Sequence, residues 1–144
     1  MRALLQRVSR ARVEVAGEGV GSIGRGLLVL LGVAREDGAE DAERLARRTL
    51  ELRIFPDDDK PMHRSLVDIA GELLVVSQFT LSADTRRGRR PGFSTAAPPE
   101  LAELLYDRYI ECCRGAGVST ATGRFGADMQ VHLINDGPVT FLLE

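Results

Sequence analysis

The sequence predicts an α+β fold: an antiparallel or mixed β-sheet, or a partly closed barrel, with two amphipathic helices packed on it. Three observations lead there. Residues 10–15 and 125–133 alternate apolar with polar, the period of half-buried strands. Gly26–Val33 is a short apolar run bounded by glycine, as in a strand buried on both faces. Residues 39–52 and 99–116 switch to a helical period. Strands and helices do not alternate regularly along the chain, which argues against a doubly wound sheet. At 144 residues the chain is expected to form one domain, residues 1–144, large enough to bury a core.

In order, Arg2–Val15 opens mixed and ends with Arg10, Arg12 and Glu14 alternating with Ala11, Val13 and Val15. Glu18, Gly19, Gly21 and Gly24 punctuate a hairpin connection into the apolar run. In the first helix Ala42, Leu45, Ala46, Thr49 and Leu50 share a face, and Asp37 is a candidate cap. Glu40, Asp41 and Glu43 come early and Arg47 and Arg48 late, as the helix dipole favours. Pro56–Pro61 reads as a solvated acidic loop, because its three consecutive Asp lack the spaced ligands of a calcium loop.

Glu72–Leu81 is a strand that begins as a buried run and ends in Ser77-Gln78-Phe79-Thr80, with Gln78 and Thr80 on one face. The connection Ser82–Pro99 is long and rich in Arg, Gly and Pro, which is unusual inside a compact domain unless the loop has a function. The second helix, Pro99–Ala116, sets Leu101, Leu104, Leu105, Arg108 and Cys112 on one stripe, with Gly115 and Gly117 closing it. After the β-branched segment Val118–Thr122, Phe125, Ala127, Met129, Val131 and Leu133 point inward from an alternating strand. Leu133–Phe141 closes the chain as strand, turn and strand around Asn135-Asp136-Gly137-Pro138, a hairpin.

Composition narrows the function. A net charge of −2 gives no overall basic field, so any nucleic-acid contact has to be a local patch. Cys112 and Cys113 are adjacent within a helical pattern, which suits neither a disulfide framework nor a metal site and fits a reducing cytosol. No signal-peptide layout opens the chain and no apolar run reaches membrane-spanning length, so a cytoplasmic protein without membrane contact is expected. No metal and no cofactor is expected.

His63 and His132 are the only histidines, and neither comes with the partners of a Ser-His-Asp arrangement or with zinc-ligand spacing. An enzyme built from these residues has to work by orientation and main-chain polarisation, which suits an activated substrate such as an ester. Ser77, Gln78, Phe79 and Thr80 could floor a site or simply end a strand. Arg86, Arg87, Arg89 and Arg90 bring four guanidinium forks, suited to phosphate, onto a Gly-containing loop that could equally be solvated surface. Gly137 and Pro138 can hold two carbonyls in one fixed direction with no side chain in the way.

Ser77-Gln78-Phe79-Thr80, Asp84-Thr85-Arg86-Arg87-Gly88 with Arg90-Pro91, Gly123–Val131 and Asn135-Asp136-Gly137-Pro138-Val139-Thr140 together resemble the D-aminoacyl-tRNA deacylase family, and the resemblance runs from Met1 to the C-terminus. Gly92 departs from it, since the family more often has Ser after the Arg-Pro pair. The resemblance implies a homodimer whose substrate is aminoacyl-tRNA: it hydrolyses the ester of a D-amino acid, or of glycine, on the terminal ribose. It implies that Ser77, Gln78, Phe79 and Thr80 floor the catalytic site, and that Gly137 and Pro138, joined by a cis bond, enter the partner subunit's site and reject L-residues. Thr80 is then a nucleophile, or the main chain and the substrate's 2′-hydroxyl do the work. The latter is favoured because Thr80 has no evident base. Phe125 and Met129 are candidates to hold the terminal adenine or to pack in the core, and Arg86 and Arg87 to touch tRNA. The rival reading is a non-catalytic nucleic-acid-binding dimer that uses the Arg86–Arg90 loop.

Overall fold

The computed structural model describes residues Met1–Glu144. Six strands make one mixed sheet: β1 (Arg2–Val15), β2 (Glu18–Ile23), β3 (Gly26–Gly32), β4 (Glu72–Ser77), β5 (Thr120–Thr122) and β6 (Gln130–Leu143). Two helices, α1 (Ala39–Glu51) and α2 (Pro99–Gly115), complete the fold. The strand order is β2-β1-β3-β4-β5, with β6 on the other edge of β1. β1 pairs antiparallel with β2, β3 and β6, whereas β3–β4 and β4–β5 are parallel. The sheet curls until β5 meets β2. A Cβ on Gly21 would lie 2.4 Å from the Thr122 carbonyl oxygen, so this near-closure of the barrel requires glycine.

The glycine-bounded run forms the middle of the sheet, buried on both faces as its composition predicts. Leu27, Val29 and Leu31 face the helices, where they join Leu45, Leu50, Leu105 and Tyr109 in the larger core. Leu28 turns the other way, to Val8, Val13, Leu74 and Val76 inside the barrel. In α1 the expected apolar face is the buried one. Gly38, not Asp37, is the N-cap residue; the Asp41 carboxylate accepts from its N–H at 2.8 Å. Asp37 instead accepts from the N-terminal ammonium and from the Ala34 N–H, both at 2.7 Å.

Four further expectations change. The buried face of α2 is Leu105, Tyr106, Tyr109, Ile110 and Cys113, while Leu104 is 64% exposed and Arg108 pairs with Glu43 at 2.7 Å on the surface. Two tyrosines, amphipathic and easily misread as surface, carry that face: Tyr109 donates to Thr49 Oγ1 at 2.7 Å and Tyr106 to the Val75 carbonyl at 3.0 Å. β4 stops at Ser77, and a 3₁₀ turn (Phe79–Ser82) follows, so Gln78 and Thr80 do not share a strand face. Burial alternates through residues 125–129 as expected, but the chain there is a turn and β6 begins only at Gln130.

The terminal segment is not a hairpin. β6 runs on along β1, pairing Leu143 to Thr140 with Ala3 to Gln6 and then Asn135 with Val8. Asp136–Val139 bulge out opposite Arg7 alone. The local chemistry favours this: the Asn135 side chain accepts from the Val139 N–H at 2.8 Å and donates to Thr140 Oγ1 at 2.9 Å, tying the ends of the bulge together.

Candidate active site

A cavity of about 640 Å³ opens where β4 gives way to the 3₁₀ turn. Ser77 and Gln78 form part of its wall and Phe79 stands at its rim; Phe125 and Met129 face them across it. The packing that puts them there is plain. The Gln78 N–H donates to the Leu31 carbonyl at 2.8 Å, holding the end of β4 to β3, and Phe125 lies on Tyr106 with ring centroids 5.7 Å apart. The structure thus brings together five of the residues that the sequence singles out: Ser77, Gln78, Phe79, Phe125 and Met129.

Arg35 is the only ionisable side chain lining this cavity. His63 contacts Asp57 in the acidic loop, where hydrogen bonds from the Lys60 N–H lead the effects that hold the Asp57 carboxyl down to about 2. His132 lies 3.4 Å from Glu14 on the sheet surface. Neither lines the cavity. Thr80 is exposed beside it, and the Gln78 amide donates to its hydroxyl. An amide donor takes up no proton, so Thr80 has no base within reach. What the strand end does offer is backbone: a helical turn starting at Phe79 opens with N–H groups that have no partner inside the turn.

Arg86 and Arg87 are exposed and outside the cavity. Arg86 is bound to Asp84 at 2.8 and 2.9 Å, and that bidentate contact holds the Asp84 carboxyl far below the usual carboxylate range. The pairing blunts Arg86 as a phosphate ligand and leaves Arg87, Arg89 and Arg90, which make no ion pair, as the cationic part of the loop. The loop is closed through backbone bonds between Asp84 and Gly92 at 2.7 and 2.9 Å. A Cβ at Gly92 would come no nearer than 3.8 Å to any neighbour, so Gly in place of Ser leaves this closure intact.

Gly137 and Pro138 are exposed on the bulge of β6, and their peptide bond is cis. They do not line the cavity of their own subunit. The sequence reading missed Phe93, which sits at the cavity mouth against Phe79 with ring centroids 5.0 Å apart. A signal was there, since Phe93 is the only aromatic residue between Ser82 and Pro99. It also missed Arg35, which nothing in the local sequence distinguishes.

The family model described as D-Tyr-tRNA(Tyr) deacylase matches residues 4–144. The chain belongs to the D-Tyr-tRNA(Tyr) deacylase family. Membership of a deacylase family places it among the hydrolases. It is 60% identical over 144 residues to a D-aminoacyl-tRNA deacylase of Pseudomonas aeruginosa, covering 100% of this chain and 99% of that one. It is 62% identical to the D-aminoacyl-tRNA deacylase of Syntrophotalea carbinolica, covering 100% and 97%. Among solved structures, one described as a c-Myc DNA unwinding element binding protein superimposes with a TM-score of 0.94 at 44% identity, covering 100% of this chain and 98% of that chain. A probable eukaryotic D-amino acid tRNA deacylase superimposes with a TM-score of 0.88 at 20% identity, covering 99% and 97%, which shows the shared deacylase fold.

Proposed function

We propose that residues 1–144 act as one deacylase domain that hydrolyses the ester joining a D-amino acid, or glycine, to the terminal ribose of tRNA, and rejects L-aminoacyl-tRNA. The observation that supports this most is the cavity itself: an apolar chamber with Ser77 and Gln78 in its wall and no side-chain base among its lining residues. Such a chamber suits an ester, already activated, over an amide. Water adds to the ester carbonyl carbon, backbone N–H groups at the start of the 3₁₀ turn stabilise the developing oxyanion, and the carbon–oxygen bond to the ribose breaks. The departing 3′-oxygen is protonated with help from the neighbouring 2′-hydroxyl. Ser77 and Gln78 line the wall beside the reacting ester, Phe79 stands at the rim and Thr80 just outside it, and Phe125 and Met129 hold the terminal adenine.

Selection is by shape. The exposed Gly137 and Pro138 of one subunit enter the cavity of a second copy, and their carbonyls accept hydrogen bonds from the substrate's α-ammonium group. With ammonium and ester both pinned, a D side chain points outward and an L side chain strikes the turn; glycine passes. β6 supports such a homodimer. Its outer edge is unpaired, and Ile134, Phe141 and Leu142 are 46%, 40% and 49% exposed along it. An open, apolar edge strand calls for a partner.

Ester loss from D- and L-aminoacyl-tRNA, followed side by side, tests the reading. Turnover of the D form alone supports it, and equal turnover of both refutes the filter. A second reading, a non-catalytic nucleic-acid binder, draws on the exposed Arg87, Arg89 and Arg90. Binding of tRNA without ester loss would favour it.

A further inference from the structure

Phe79 and Phe93 form an exposed aromatic pair that belongs to neither core cluster. They are 56% and 39% exposed, tilted at 54° to one another, at the mouth of the cavity. Aromatic faces left in water beside a groove are what nucleobases stack on, whatever their sequence. The neighbouring loop points to the same ligand. Because Asp84 and Gly92 are bonded to each other, the excursion carrying Arg87, Arg89 and Arg90 leaves and returns next to Phe93. A single-stranded nucleotide offers the matching groups: a base for the rings and a phosphate for the guanidinium groups.

We propose that Phe79 and Phe93 are a stacking platform for the base that precedes the terminal, aminoacylated nucleotide, while Arg87, Arg89 and Arg90 hold the phosphates upstream of it. The proposal rests on the tRNA-ester reading above and extends it by one nucleotide. Phe125 and Met129, deeper in the cavity, keep the terminal base, and the pair at the rim turns the strand toward the arginine loop. The enzyme would then read unpaired, flexible 3′ ends as a class, since stacking is tolerant of base identity.

The test compares steady-state hydrolysis of D-aminoacyl-tRNA with that of 3′-O-D-aminoacyl-adenosine, which has no upstream nucleotide, in the wild type, Phe93→Leu and Phe93→Trp. Phe93→Leu is expected to raise KM for the tRNA about tenfold more than for the adenosine ester, the size of one base–aromatic stack. Phe93→Trp is expected to stay near the wild type. A KM raised equally for both substrates, or a Trp variant as impaired as the Leu variant, would overturn the platform. Hydrolysis of neither substrate by the wild type would overturn the ester reading beneath it. The triple substitution Arg87→Ala, Arg89→Ala, Arg90→Ala should flatten the salt dependence of KM for tRNA; an unchanged slope removes the arginines from the proposal.

Discussion

Arg7 Nε donates to the Asp136 carbonyl at 2.9 Å, while its Nη1 donates to the Ile54 carbonyl at 2.8 Å. The guanidinium is almost wholly buried, and it fills the place opposite the four residues that bulge from β6. One side chain therefore fixes the orientation of the residue just before Gly137 against the body of the fold. Arg7→Met is expected to cost about 2–4 kcal/mol of stability, because bonds from a charged donor contribute roughly 1.5–3 kcal/mol each. Arg7→Lys should recover only part, since one ammonium cannot span both carbonyls. Chemical denaturation measures this, and a loss below about 1 kcal/mol for Arg7→Met would mean the bulge is held by other means.

Gly137 has φ +150°, and a Cβ there would lie 2.6 Å from Val139 Cγ2 and 2.7 Å from the Val139 nitrogen. Gly137→Ala must shift the bulge. The position is exposed, so the fold should survive while the carbonyl directions change. Turnover of D-aminoacyl-tRNA is expected to fall at least about tenfold, or L-aminoacyl-tRNA to be admitted, as deacylation rates on both substrates would reveal. Unchanged rates and selectivity would refute the filter role.

Thr80 receives the Gln78 amide and has no base. Thr80→Val should lower kcat by less than about tenfold, whereas removing a true nucleophile costs many orders of magnitude. A drop beyond about a thousandfold in single-turnover assays would make Thr80 the attacking group.

Burial pushes the Cys113 thiol and the Tyr106 phenol up to about 12. In the unfolded chain these groups ionise near about 8.5 and about 10. Their neutral forms therefore support the fold fully below those values, and the support drains away as pH rises from about 8.5 toward 12. Denaturation midpoints should fall steadily over that range, and Cys113 should resist thiol reagents at pH 8 in the native state. A midpoint that holds level to pH 11 would contradict the assignment.

The central sheet could be read from the sequence because burial on both faces leaves an uninterrupted apolar run in β3, and α1 because its polar and apolar residues segregate cleanly. The face of α2 was harder, since Tyr106 and Tyr109 bury their rings while bonding their hydroxyls. The bulge at Gly137 was invisible for a different reason. A Gly-Pro turn between apolar residues looks the same whether the chain reverses or merely swells; the Asn135 side chain and Arg7, far away in sequence, together hold the swollen form. The end of β4 shows the same limit: Ser77 to Thr80 carry strand-like composition, yet the Leu81 and Ala83 N–H groups bond back to Gln78 and Thr80 and wind the chain into a 3₁₀ turn.

The proposed composite site makes a quantitative demand on mixed dimers. Gly137→Ala subunits keep an intact cavity, and Ala127→Trp subunits, whose cavity is filled, keep an intact turn. When the two are mixed and allowed to exchange, half of the dimers should be mixed, each with one working site, and D-aminoacyl-tRNA hydrolysis should recover to about a quarter of the wild-type rate. Activity no greater than the sum of the two separate variants would mean that each cavity is filtered by its own subunit or by nothing, contradicting the account.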